Sequence, residues 1–171
     1  IDDVTIDVAL PRRENKAGRG HKGFLVEPDP SMSPEEAAAR RDFTMNAMAY
    51  DPDTGCVLDF FGGLDDIAGR RLRHVGPAFA EDPLRVLRGF QLAARYDLTA
   101  VPATIELSRS LYAEYPTLAI ERVWDEWWKW ALKSVRPSAG LRFLRETGWL
   151  AHCNSHRSWP SCSAFNAPPA M

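Results

Sequence analysis

The sequence predicts an α+β fold: a small mixed α/β part followed by an all-helical part, with the boundary near Phe79–Glu81. Short runs that alternate apolar and polar residues occur only in the first half, whereas after Asp82-Pro83 every apolar pattern has helical period and is punctuated by Pro or Gly. The composition, 45% hydrophobic, 26% charged and 11% aromatic, is ordinary for a packed chain and excludes disorder, coiled coil and collagen-like repeats. With 171 residues the length suits one domain, but the chain begins at Ile1 rather than Met, so the expectation is one domain plus pieces of another.

The elements follow in order. Val4, Ile6, Val8 and Leu10 share one face of a strand while Thr5, Asp7 and Ala9 share the other. Pro11–Pro30 reads as a long polar connection without period, carrying Arg12, Arg13, Lys16, Arg19, His21 and Lys22. Ser33-Pro34-Glu35-Glu36 combines a Ser cap, Pro at the first helical position and an acid three residues after the cap, so a helix is expected from there to about Tyr50. Asp51–Gly55 is a turn, Cys56–Asp59 a short strand, and Gly62-Gly63 a break before a short acidic helix. Arg71–Val75 alternates like another strand. Helices are then expected at about Pro83–Tyr96, Ala103–Glu114, Ile120–Ser134 and Ser138–Thr147. Trp124, Trp127, Trp128 and Ala131 recur at helical spacing and are expected to form a core stripe, with Trp130 off it. Three parts result: 1–80, 81–150 and an irregular tail at 151–171.

Charge and cysteines exclude several functions. The formal charge is −2, so no global field draws the chain onto nucleic acid or an anionic membrane, although a local basic site is not excluded. The cations are seventeen Arg and four Lys; Arg suits phosphates and base edges, and a GC-rich genome explains the same bias. No apolar run is long enough to cross a bilayer, and Asp2 and Asp3 do not fit the basic start of a signal peptide, which makes the cytoplasm the expected compartment. Cys56, Cys153 and Cys162 are scattered and contain no C-x-x-C pair, which supports neither a disulfide framework nor a structural zinc site.

Three constellations could carry chemistry, each with a structural alternative. Asp7 lies on the polar face of its strand, where a carboxylate reaches a cleft floor or is simply solvated. Arg40, Arg41, Asp42 and Asn46 fall inside the first expected helix, as ligand contacts or as a surface ion pair. The sharpest is Glu81-Asp82-Pro83-Leu84-Arg85 with Arg88. Asp82 at the cap and Arg85 three residues on project a carboxylate and a guanidinium side by side, an arrangement able to hydrogen-bond the edge of a nucleobase. Arg85, Arg88, Gln91 and Arg95 continue it as a polar ridge able to hold a triphosphate, or as a capped surface helix paired with nearby acids.

Taken in order, these segments resemble the class II tRNA nucleotidyltransferase and bacterial poly(A) polymerase family. Arg40-Arg41-Asp42-Phe-Thr-Met-Asn46-Ala-Met48 is similar to the family's RRDFT-x-NAM motif. Asp59-Phe-Phe-Gly62-Gly63-Leu-Asp65-Asp66-Ile with Arg71-Leu-Arg73-His74-Val75 is similar to D-x-x-GG-x-x-DL…LRHV. Glu81-Asp82-Pro-Leu-Arg85-Val-Leu-Arg88 with Ala93-Ala94-Arg95-Tyr96 is similar to EDPLR-x-x-R…FAAR. The resemblance is strong from about Thr5 to Tyr96 and continues, more weakly, to about Leu150.

The resemblance implies a partial nucleotidyltransferase palm, a short mixed sheet with helices, followed by an all-helical neck. It further implies transfer of CMP or AMP from CTP or ATP to the 3′ end of tRNA or another RNA, with Mg²⁺ ions activating the hydroxyl and stabilising the pyrophosphate. Asp82 and Arg85 would select the base; Arg40, Arg41 and Arg88 would hold phosphates or ribose; Asp42 and Asn46 would shape that pocket. The family's glycine-rich turn and metal-binding D-x-D precede the position matching Ile1, and its body and tail domains follow Leu150, so these 171 residues are expected to be inactive alone. Asp7 aligns with an acidic position on a later palm strand, a candidate third carboxylate; the metal ligands are otherwise unknown. Poly(A) addition, a non-catalytic RNA- or nucleotide-binding remnant, and a purely structural helical module are the rival expectations.

Overall fold

The computed structural model describes residues 12–16 and 24–153, with side chains from 29 to 152. The order is β1 (Arg12–Lys16), β2 (Phe24–Pro28), α1 (Pro34–Ala39), β3 (Ala49–Asp51), β4 (Cys56–Leu58), α2 (Gly63–Ala68), β5 (Arg71–Leu72), α3 (Leu84–Tyr96), β6 (Thr99–Ala100), α4 (Pro102–Ser110), α5 (Ile120–Lys133), α6 (Pro137–Thr147) and α7 (Leu150–Cys153). Strands β1–β2 and β3–β4 pair antiparallel and β5–β6 parallel. Small strand pairs followed by helices give the expected α+β class. The strand expected at Val4–Leu10, and Asp7 with it, lie outside the described residues.

Several elements differ from the expectation. The stretch read as a connection without period contains β1 and β2, paired from Arg12 opposite Pro28 to Lys16 opposite Phe24; Arg12–Lys16 holds no apolar residue, so no alternation marks it as a strand. The first helix has the expected Ser33 capping box, with Glu36 N–H donating to Ser33 Oγ and Ser33 N–H to Glu36 Oε2, but it stops at Ala39. Arg40–Asn46 is therefore not mid-helix. The Asp42 carboxylate accepts the Phe43 N–H at 2.8 Å and one N–H of the Asn46 amide at 3.1 Å, offering the backbone a local alternative to helix. Phe43 is extended and fully buried, edge-on to Phe79, and Thr44 N–H donates to the Arg73 carbonyl. Tertiary burial of one aromatic thus overrides a helical pattern. A 3₁₀ turn at Thr44–Asn46 then leads into the β3–β4 hairpin.

The core runs continuously across residue 80. Phe43, Leu72 and Phe79 belong to the same buried cluster as Val86, Leu87, Phe90, Leu144 and Trp149. Strand β6, too short to be signalled by any alternation, reaches back from the helical part to pair with β5. Helix α3 is the hub, packed on α5 and α6. Gly140 lets α6 come close: a Cβ there would sit 2.5 Å from the Phe90 carbonyl oxygen. The tryptophan stripe is rotated from the expected one. Trp127 and Trp130 lie against Phe90, with ring centroids at 4.6 and 5.4 Å, whereas Trp128 is 58% exposed. The inward face of α5 is Val123, Glu126, Trp127 and Trp130, because the buried Val123 fixes its azimuth. Ala151–Cys153, expected as tail, continues as α7, with His152 stacked on Tyr115 at 4.3 Å.

Helices α3 and α5 run in the same direction. Arg122, in the first turn of α5, meets Asp82 just before α3, and at the other end the N–H groups of Val135 and Arg136 both donate to the Ala94 carbonyl. The groove between them is bordered on one side by the 40–46 segment.

That segment is held from behind by Asp66, whose buried carboxylate accepts from Thr44 Oγ1 at 2.8 Å, Arg71 Nε at 2.8 Å and Arg73 Nε at 3.0 Å. Burial alone would raise the Asp66 carboxyl, but the hydrogen bonds from Arg71, Thr44 and Arg73 outweigh it and hold the group below the usual carboxylate range. A depressed folded-state pKa contributes stability above the unfolded value of 3.8 and loses it as pH falls through the folded one. Asp66→Asn is accordingly expected to cost about 1.5–3 kcal/mol at pH 7. The gap to the unmodified chain should begin to narrow below about pH 4 and close only once the pH lies below the depressed folded-state value. Denaturant titrations at stepped pH check this; a gap independent of pH would remove the carboxylate from the account.

Candidate functional site

A cleft of about 960 Å³ lies between α1, the 40–46 segment, α3 and α5. It is lined by Arg40, Arg41, Asp42, Asn46, Asp82, Arg85 and Arg88, which gathers in one place every site residue expected from sequence except Asp7, which lies outside the described residues. Gln91 and Arg95 of the ridge line it too.

Most of these side chains are positioned by a nameable contact. Arg88 donates from Nε to Asp42 Oδ2 at 2.6 Å, and among the described residues its two Nη groups make no hydrogen bond. Burial alone would lower the Arg88 guanidinium, but the Asp42 carboxylate, helped by Glu126 and Asp82, raises it above the ordinary arginine value. The result is a permanently charged fork, fixed at its elbow and half-exposed in the cleft. Arg41 is exposed at the rim.

The Asp82–Arg85 pair is more tightly built in than its spacing alone conveys. Asp82 precedes the helix rather than capping it in person: Pro83 is the N-cap, and Asp82 Oδ1 accepts the Leu84 N–H at 3.1 Å. Asp82 Oδ2 accepts from Arg122 Nη2 at 2.7 Å. Arg85 donates to the Ala78 carbonyl at 2.6 Å and the Arg40 carbonyl at 2.8 Å, tying α3 to both flanking segments. Arg40 in turn pairs with Glu81 at 3.3 Å. Carboxylate and guanidinium are thus both preorganised, each by a different part of the chain.

Sequence reasoning missed the contribution of α5. Arg122, Lys129 and Lys133 line the cleft from the side opposite the 40–46 segment. The signal was present: Arg122, Glu126, Lys129 and Lys133 step at four, three and four residues, one polar face of the helix whose tryptophans took the attention. Glu126 is buried and accepts from Lys129 Nζ at 2.7 Å.

The described residues do not fit the metal ions implied by the resemblance. Among them no group of three or more His, Cys, Asp or Glu could hold an ion, and the cleft carboxylates of Asp42 and Asp82 are each bound to a guanidinium. No described helix is long and apolar enough to cross a membrane.

Residues 2–73 match the family model described as the poly A polymerase head domain. The chain is 51% identical over 145 residues to the Multifunctional CCA protein of Stenotrophomonas maltophilia (strain R551-3), covering 82% of this chain and 36% of the relative. Two solved structures share its fold. A CCA-adding enzyme in complex with CTP is 27% identical with a TM-score of 0.63, over 84% of this chain and 39% of that one. A CCA-adding enzyme in complex with ATP is 28% identical with a TM-score of 0.61, over 74% of this chain and 31% of that one. The chain thus spans a little over a third of the length of the curated relatives it matches. With three motifs in order, a head-domain match over residues 2–73 and a shared fold, the chain is similar, over the residues it shares with them, to the CCA-adding enzymes.

Proposed function

We propose that this chain supplies the nucleotide-selecting cleft of a template-independent RNA nucleotidyltransferase, one that transfers CMP and AMP from CTP and ATP to the 3′ end of tRNA in the cytoplasm. The observation that carries the reading is the Arg88 fork, anchored through Nε to Asp42 with its Nη groups turned to no described partner, in the same cleft as the Asp82 carboxylate and the Arg85 guanidinium. Such a fork suits a phosphate oxygen or a base carbonyl. Asp82 would accept from the exocyclic amine that cytosine and adenine share, and Arg85 would donate to the neighbouring ring nitrogen; uracil and guanine present a carbonyl to the carboxylate instead. Arg40 and Arg41 would reach the phosphates, and Asp42 and Asn46 would keep the fork in place. The CTP- and ATP-bound relatives support the choice of nucleotides. The transfer step, its divalent metal ions and the role of Asp7 belong in this reading to a protein of the relatives' length, and no described residue is assigned to them.

Titration with the four ribonucleoside triphosphates tests it. CTP and ATP are expected to bind more tightly than UTP and GTP, and Asp82→Ala to remove roughly 1–3 kcal/mol of that discrimination. Equal binding of all four, or discrimination that survives Asp82→Ala, would sink the base-reading role. The head-domain match favours poly(A) addition as a second reading, which binding of ATP without CTP would select.

A further inference from the structure

Arg73-His74-Val75 does not line the cleft, yet contacts that set the cleft guanidinium groups run through this stretch. His74 forms an antiparallel bridge with Phe43. On either side of that bridge the Thr44 N–H donates to the Arg73 carbonyl at 3.0 Å and the Val75 N–H to the Asp42 carbonyl at 3.2 Å. Asp42 is the residue whose carboxylate anchors Arg88, and the Ala78 carbonyl, a little further along the same stretch, accepts from Arg85. The 73–78 stretch thus supports both guanidinium groups, and α4 holds the stretch. One hydroxyl, Thr104 Oγ1, lies 3.0 Å from the His74 backbone nitrogen and 2.9 Å from its Nδ1.

A hydroxyl has one proton to give. Thr104 Oγ1 accepts the backbone N–H of His74, so its own proton goes to Nδ1, its one acceptor among the described residues, and the ring is neutral with its proton on Nε2. A charged ring would carry an N–H at Nδ1 and leave the hydroxyl proton without an acceptor in a fully buried side chain. The surroundings oppose the charge as well. Phe79 lies 5.7 Å away between ring centroids, Phe43 sits opposite in the bridge, and α4 presents the uncharged Thr104. The charge that acts on the ring is that of Arg73, itself paired with Asp66. Burial first, and Arg73 second, hold the imidazole below the ordinary histidine value.

We propose that His74 is a positioning residue of the nucleotide cleft: its neutral ring, locked by Thr104, keeps the 73–78 stretch in the register that aims Arg88 and Arg85, and protonation releases it. The proposal rests on the nucleotide-transfer reading for the identity of the ligand, not for the existence of the latch. With the folded-state value depressed, the unfolded chain binds more protons than the folded one below the ordinary value of 6.5. The latch therefore contributes fully above that value and is lost as the pH falls from it through the folded one.

The test follows the full 171-residue chain by amide and imidazole NMR and by CTP titration from about pH 5 to about pH 8, the range in which an imidazole changes charge. His74→Asn is the reference: its amide oxygen can take the hydroxyl proton in place of Nδ1, and it does not titrate. Because the terminal phosphate of CTP titrates in the same range, the readout is the ratio of the two chains' affinities at each pH. At about pH 8 His74→Ala is expected to bind CTP roughly three- to tenfold more weakly than the unmodified chain, the worth of one hydrogen bond, and His74→Asn to restore most of that loss. At about pH 5 the unmodified chain is expected to fall roughly three- to tenfold below His74→Asn. Its Thr44 and Val75 amide resonances are expected to move with the His74 ring, and those of His74→Asn to stay flat. Thr104→Val, which keeps the shape without the hydroxyl, is expected to weaken CTP binding already at the upper end of the range and to run parallel to His74→Asn below it. An affinity ratio independent of pH overturns the proposal, and so do Thr44 and Val75 amides that ignore the His74 titration. Thr104→Val with the unmodified profile overturns it too. If those amides follow the ring in a chain that binds no CTP, the latch stands and the proposed nucleotide cleft falls.

Discussion

Replacing Phe90 by alanine is expected to destabilise the fold by about 3–5 kcal/mol, a large share of the roughly 5–15 kcal/mol that holds a domain of this size together. Phe90 is fully buried at the crossing of three helices. Its ring lies 4.6 Å from Trp127 and 5.4 Å from Trp130 between centroids, and its carbonyl oxygen is where α6 approaches most closely, at Gly140. Deleting the ring leaves a void that two tryptophans on a rigid helix cannot collapse into, so the transfer and cavity terms add. The melting temperature should fall by roughly 6–20 °C. Phe60, 40% exposed, provides the control: Phe60→Ala should stay within about 0.5 kcal/mol. Because Phe90, Phe43 and Phe79 share one cluster, Phe90→Ala should lower the unfolding of both halves in a single transition. Two separate transitions, with only the later one shifted, would show that the core does not cross residue 80.

The site was legible in the sequence further than the fold was. Arg40, Arg41, Asp42, Asn46, Asp82, Arg85 and Arg88 were picked out as residue types in order, and motif order survives errors in secondary structure. The helix from Ser33 was expected to run through Asp42 and Asn46 yet ends before both, and the two residues still reach the cleft. What failed was whatever depends on contacts distant in sequence. Phe43 leaves the helical pattern because its ring packs on Phe79 and the next N–H, that of Thr44, donates to the Arg73 carbonyl, both partners more than 25 residues away. Trp128 and Trp130 exchange roles because period alone gives the width of an apolar face and not its azimuth, which Val123 and Phe90 decide. The ion pair of Asp82 with Arg122 joins residues 40 apart, and no local rule announces it.

The largest functional effect is expected at Arg88. Arg88→Ala removes the one cleft guanidinium whose Nε is anchored on Asp42 and whose Nη groups meet no described acceptor, and charge-assisted hydrogen bonds of that kind are worth about 1.5–3 kcal/mol. CTP affinity should therefore fall by roughly 10–150-fold. Arg88→Lys should recover little, because an ammonium is a single point of donation: it can answer Asp42 or the nucleotide, but it cannot present an elbow to one and a fork to the other. Asp42→Asn separates holding from binding. It keeps the shape and the contacts of Asn46 and the Phe43 N–H within reach but removes the charge that aims the guanidinium, so a drop smaller than that of Arg88→Ala is expected. Combined, Asp42→Asn and Arg88→Ala should bind CTP no worse than Arg88→Ala alone, since an aiming group has nothing to contribute once the aimed group is gone. If the two losses add in full, Asp42 touches the nucleotide itself. If Arg88→Ala binds CTP as tightly as the unmodified chain, the pair is only a strut between α3 and the 40–46 segment, and the cleft recognises its ligand by other means.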